Sequence, residues 1–194
     1  MSINLIETIQ NNLQYPPLQK IDPNTQEVKV NDNKPDEHRF SQASIPAVLT
    51  GLYKYSTTDA GADDILSGDI STIWANLFLD DTKDEVVKKI AAYSFQSIEY
   101  TQQHLSSICE EAVRLIRANI KPGATKMNVK DFMAEQRNDI LLYLPEALHM
   151  GALLNDDTLD DNTNKMEGPI SSLMHKIGSA FSKPASEEEL HTNH

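Results

Sequence analysis

The densest group of chemically capable side chains lies between Asn155 and Glu167, where Asp156, Asp157, Asp160, Asp161 and Glu167 alternate with Thr and Asn. With Asp156 as the first of twelve positions, Thr158, Asp160, Asn164 and Glu167 fall third, fifth, ninth and twelfth. Those are places from which a helix–loop–helix calcium site draws oxygen ligands. The sixth position, which needs glycine for a sharp turn, is Asp161, and the eighth, ordinarily apolar, is Thr163. Without that turn, ionised carboxylates this close repel one another. The expectation is therefore an exposed loop that holds no structural metal. A metal-dependent regulator or enzyme using this loop (155–167) is the alternative functional reading, with Asp156, Asp160 and Glu167 as its calcium ligands.

The other reactive side chains are scattered. The histidines are His38, His104, His149, His175, His191 and His194, with neither an H-E-x-x-H motif nor an i, i+4 pair. His149 and His175 fall in the two halves of one helical unit and could meet in space. Cys109 is the single cysteine, which excludes an internal disulfide and a multi-cysteine zinc site. Beside Ile108 it reads as a small core residue, with no adjacent base to lower its pKa. Seven unclustered glycines provide no phosphate-cradling loop, and no nucleophile elbow is present. Arg114, Arg117, Lys121, Lys126 and Lys130 form one locally basic stretch, but Glu110, Glu111 and Asp131 interleave it, so it reads as a solvated helix face. Glu110 stands four residues before Arg114, the favourable order for a helical ion pair. Trp74 and Phe78, one turn apart, are expected in the core, with Trp74 largely buried; the alternative is a groove for a partner helix. No catalytic, cofactor-binding or metal-binding residue is assigned, and no cofactor is expected.

The charge balance narrows the partners. Lys plus Arg is 17 and Asp plus Glu is 29, giving 17 − 29 = −12. That acidity disfavours binding to nucleic acid or anionic lipid. No apolar run approaches the roughly 20 residues of a bilayer span, and the start, Met1-Ser2-Ile3-Asn4, has no basic leader. A soluble cytoplasmic protein is the expectation, acting through a protein partner or by self-association.

The elements that must position these residues are helical. The 194 residues, 39% apolar, suit one domain with tails. Residues 1–37 read as an N-terminal helix, with Ile3, Ile6, Ile9 and Leu13 on one face, followed by an extended arm rich in Pro and Asn that packs over the helices, the alternative for residues 14–37 being a disordered linker. Residues 38–182 read as a helical domain. Its repeat units are about 40–80 and 138–182, and its central helices are 83–136. The longest helix is expected over Ser97–Ile120, with Leu105, Ile108, Ala112 and Asn119 inward and the two units packed around it. A polar break is expected at Asp80–Asp84, a kink at Pro145 and a last helix through Ile170, Leu173, Met174, Ile177 and Phe181. Residues 183–194 read as a disordered acidic tail. Only Val28-Lys29-Val30 resembles a strand. The fold class is all-α, a multi-helix bundle.

A weak duplication supports the two units. Ile45-Pro46-Ala47-Val48-Leu49 resembles Leu144-Pro145-Glu146-Ala147-Leu148, and Ile70-Ser71-Thr72-Ile73-Trp74 resembles Ile170-Ser171-Ser172-Leu173-Met174. The stretch Ser41–Leu52, with the following Ala60–Gly68, is similar to the Pro-containing helix and loop of the YidB-like family of uncharacterised bacterial domains. That resemblance spans about residues 40–182. It implies an all-helical, repeated unit and nothing catalytic.

Overall fold

Asn4 starts the first helix by accepting the Glu7 amide on its side chain, and α1 runs Leu5–Asn12. The computed structural model describes residues 3–22, 28, 36–78 and 80–159. Further along are α2 (Asp36–Ser56), α3 (Asp59–Ser67), α4 (Ile70–Asn76), α5 (Asp80–Ser94), α6 (Ile98–Asn119), α7 (Lys126–Leu141) and α8 (Met150–Leu153). Single 3-10 turns stand at Glu146–Leu148 and Asp157–Leu159. The described residues contain no strand; Val28 is irregular, and Lys29 and Val30 lie outside them. The protein is an all-helical bundle.

The helix enclosed on every side is α2, which packs against α1, α3, α5, α6 and α7. Every residue from Phe40 to Leu52 is buried. The sequence permits this because no charged side chain occurs between Phe40 and Tyr53. Ala43, Ser44, Ala47 and Gly51 are small enough for neighbouring helices to approach. An ideal Cβ at Gly51 would stand 2.6 Å from the Phe78 ring. Pro46 sits inside α2, and the Thr50 hydroxyl donates to its carbonyl at 2.7 Å.

The long helix expected at Ser97–Ile120 is present as α6, but it is not the element at the centre. Its charges, Glu110, Glu111, Arg114 and Arg117, require water on one face, so only the stripe from Thr101 to Ile116 is buried. Asn119 is exposed rather than inward, and its side chain bonds back to the Leu115 carbonyl.

Two glutamines tie the N-terminal segment to the bundle. Gln136 on α7 accepts the Leu5 amide at 3.1 Å and donates to the Ile3 carbonyl at 2.9 Å. Gln42 on α2 accepts the Gln19 amide at 2.8 Å and donates to the carbonyls of Gln19 and Tyr143 at 3.0 and 2.8 Å. The Ile21 amide then donates to the Leu142 carbonyl at 2.8 Å. Residues 14–22 thus form an arm that packs over the helices. The rest of the arm, Val28 apart, lies outside the described residues.

Several local expectations are corrected. The Asp80–Asp84 break belongs to α5, which begins at Asp80. Arg114 pairs with Glu111 through Nε at 2.7 Å, not with Glu110. Glu111 also accepts from Asn12, which joins α6 to α1. No helix kinks at Pro145, because α7 has ended at Leu141 and Pro145 precedes a 3-10 turn. A proline disfavours helical backbone in the residue before it. The segments Ile45–Leu49 and Leu144–Leu148, alike in sequence, differ in conformation, since α2 continues through Pro46 in the first. The expected last helix and the acidic tail lie outside the described residues.

Candidate functional site

The residues that sequence spacing singles out are mostly absorbed by structure. Asp156 was expected to be exposed, but it is part-buried and held between the Lys54 ammonium and the Thr158 hydroxyl. Lys54 Nζ lies 2.8 Å from its Oδ2, and Thr158 Oγ1 donates to its Oδ1 at 2.6 Å. Arg137 on α7 donates to the Thr158 carbonyl at 2.8 Å. Burial alone would raise the Asp156 pKa, but the bonds from Lys54 and Thr158 outweigh it and leave the pKa lowered. Leu159, read as part of a polar loop, is fully buried and anchors this segment. Asp160, Asn164 and Glu167 lie outside the described residues. Among the described residues, no three His, Cys, Asp or Glu side chains are gathered to hold a metal ion.

His149 is exposed, in the left-handed region at φ 49°. Its proposed mate, His175, lies outside the described residues. Sequence spacing gave His104 no role, yet it sits in a ring cluster. Its Nδ1 is 2.9 Å from Tyr15 Oη, it stacks on Tyr100 at 4.0 Å, and it meets the edge of Phe40. Burial, with Tyr100 adding to it, pushes the Tyr15 phenol up to about 12. The cluster fastens the arm to α2 and α6. Cys109 is buried on α6, and burial pushes its thiol up to about 12, with Lys83 opposing and Glu110 adding. It is no nucleophile in this state.

Four of the five residues of the basic stretch, all but the exposed Lys121, are engaged within the domain. Arg117 donates through Nε to the Ile65 carbonyl at 2.7 Å and through Nη2 to the Asp64 and Gly68 carbonyls, closing the C-terminal end of α3. Lys126 and Lys130 both bind Asp59, at 2.6 and 2.7 Å. Those two hydrogen bonds hold the Asp59 carboxyl down to about 2. Trp74 is half-buried rather than buried, with Lys83 Nζ 4.4 Å from its ring centroid.

Two surface features remain. The first is the link between α5 and α6. The Gln96 amide donates to the Ala91 carbonyl at 3.0 Å, with Phe95 between them at φ 56°. This is the helix-ending arrangement that ordinarily places glycine in the left-handed position. The same closure recurs after α1, where Tyr15 donates to Gln10 across Gln14, and after α8, where Asp156 donates to Gly151 across Asn155. Asparagine tolerates this backbone; a bulky aromatic is an outlier there. The Phe95 ring is nevertheless 70% exposed, with the Arg39 guanidinium 5.2 Å from its centroid and Ile98 partly exposed nearby in sequence. Nothing in the periodicity marks Phe95. The available signal is an aromatic set between Ser94 and Gln96, in the link rather than on a helical stripe.

The second is a groove of about 220 Å³ beside the end of α2. Leu77, Phe78, Leu153 and Leu154 give it apolar walls, with Lys54 and Thr82 among the polar residues that line it. Tyr55, also on the groove, donates to Asp64 at 2.5 Å, and burial together with that bond pushes its phenol up to about 12.

Among the described residues no helix is long and apolar enough to cross a membrane. Comparison with protein-family models, with curated proteins and with solved structures finds no match.

Proposed function

We propose that this chain is a non-enzymatic helical domain that acts through protein–protein contacts, with the Phe95 turn as a contact point. The carrying observation is a bulky aromatic held at φ 56° with its ring 70% exposed. Folding gains little from that ring, while its backbone costs on the order of 1–2 kcal/mol relative to an ordinary conformation. Strain kept without burial fits a residue retained for what it meets outside the domain. Aromatic and arginine side chains are also the types that dominate binding energy at interfaces, and Arg39 accompanies Phe95. The resemblance to YidB-like domains supports a reading without catalysis, and the charge of −12 favours protein over nucleic acid.

Phe95→Gly tests this, because it removes the ring and relieves the backbone together. The variant is expected to melt at the same temperature or higher. In quantitative affinity capture it should lose proteins that the wild type and an exposed-residue control, Met127→Ala, both retain. Unchanged capture, or a destabilised Phe95→Gly, would assign Phe95 to structure instead.

A further inference from the structure

We infer that the groove beside the end of α2 is the docking site for this chain's own residues 170–181. The walls of the groove, Leu77, Phe78, Leu153 and Leu154, leave about 220 Å³ between them. Leu153 and Leu154 pack against the core on one side and remain partly exposed on the other. Apolar surface with this shape accepts the stripe of an amphipathic helix.

The chain carries such a stripe a short distance beyond. Ile170, Leu173, Met174, Ile177 and Phe181 recur every three or four residues, while Ser171, Ser172, His175, Lys176 and Ser179 occupy the other positions. Pro169 precedes the stripe and Pro184 follows it, suitable start and stop signals.

Reach and charge agree with this occupant. The described chain ends at the buried Leu159, five residues past the groove wall at Leu154. Residues 160–169 can extend up to about 33 Å, about twice the roughly 15 Å radius of gyration of a domain of this size. Residues 1–159 carry 14 basic and 23 acidic side chains, so 14 − 23 = −9. Between Glu167 and Glu187 no carboxylate occurs, and Lys176 and Lys183 are positive. The segment is thus the one stretch of the C-terminal region that the acidic domain attracts.

Hydrogen-exchange mass spectrometry on the full chain tests the assignment. Amides of residues 170–181 are expected to exchange at least about tenfold more slowly than an unstructured peptide. The double variant Leu173→Asp/Ile177→Asp, which leaves the helices α1–α8 untouched, should abolish that protection and speed exchange at 153–154. Leu154→Asp, with α6 protection unchanged, should abolish it from the groove side. Protection should not vary with protein concentration. The proposal fails if 170–181 exchanges at the unstructured rate, if Leu154→Asp leaves its protection intact, or if protection appears only as concentration rises. The last result would make a second copy the occupant. None of these outcomes bears on Phe95, which lies outside the groove.

Discussion

Lys54 and Asp156 meet across 102 positions of sequence, Nζ to Oδ2 at 2.8 Å, and join the end of the central helix to the segment after α8. The pair is partly exposed, so its worth is that of a surface ion pair, about 0.2–1 kcal/mol. Asp156→Asn is expected to lower stability by that amount at neutral pH. The Asp156 pKa is lowered in the folded state. Its contribution is therefore fully present above the ordinary carboxylate range, near pH 4, and is lost as pH falls through the lowered value. Denaturant melts of wild type and Asp156→Asn should differ by the same amount from pH 8 to pH 5 and converge in strong acid.

Gln136 and Gln42 act as uncharged clamps on backbone groups. Removing Gln136 leaves the buried Leu5 amide without its partner, which costs about 1–3 kcal/mol, and removing Gln42 frees three part-buried backbone groups, which costs about 1 kcal/mol. Gln42→Ala should also free the arm, making Lys20 a tryptic site while the helices stay intact. Because the bonds are neutral, these losses should be the same in low and high salt. A strong salt dependence measured by chemical denaturation would contradict the assignment.

Two glycines differ in what crowds them. A Cβ at Gly51 would meet the tip of the Phe78 ring and Leu77, side chains that can give way. A Cβ at Gly61 would fall onto the Tyr55 carbonyl, which cannot. Gly51→Ala is expected to cost about 1–3 kcal/mol, the usual range for overpacking, and Gly61→Ala more than that. Thermal melting of the two variants side by side gives the order.

Cys109 has no accessible surface and its thiol is pushed up to about 12, burial being the main cause. Alkylation by iodoacetamide at pH 8 should therefore wait for global opening, with a rate that follows the unfolding equilibrium. Cys109→Ser should destabilise the protein, since it replaces a small apolar group with a hydroxyl in a dry site. Rapid labelling of the folded protein would contradict the burial.

Helices with one wet face were legible from the sequence. The positions of α1 and α6 follow from apolar spacing, and the all-α class follows from the lack of alternation. The spacing of Ile45, Val48, Leu49 and Leu52 marks α2 as a helix; what periodicity hides is that it is buried on every side. Ser41, Gln42, Ser44 and Thr50 read as polar, yet all are buried. The readable sign was the uncharged run from Phe40 to Tyr53, not its pattern. Leu159 was obscured by the aspartates beside it, and Arg137, which holds the neighbouring Thr158 carbonyl, is distant in sequence. The Phe95 turn was invisible for another reason: its backbone is set by the closure from Gln96 to Ala91, which residue types do not announce when glycine is missing.

The enclosure of α2 also sets an order of events during synthesis. The helix is complete once Ser56 has emerged, but α7, which covers one of its sides, is not finished until Leu141. At roughly 5–20 residues per second, that interval is on the order of ten seconds. Throughout it, a helix with no charge from Phe40 to Tyr53 stands without its full cover on a nascent chain. The ribosome-bound protein should thus be a client for holding chaperones until α7 arrives, and a stall placed before Lys126 would prolong that exposure.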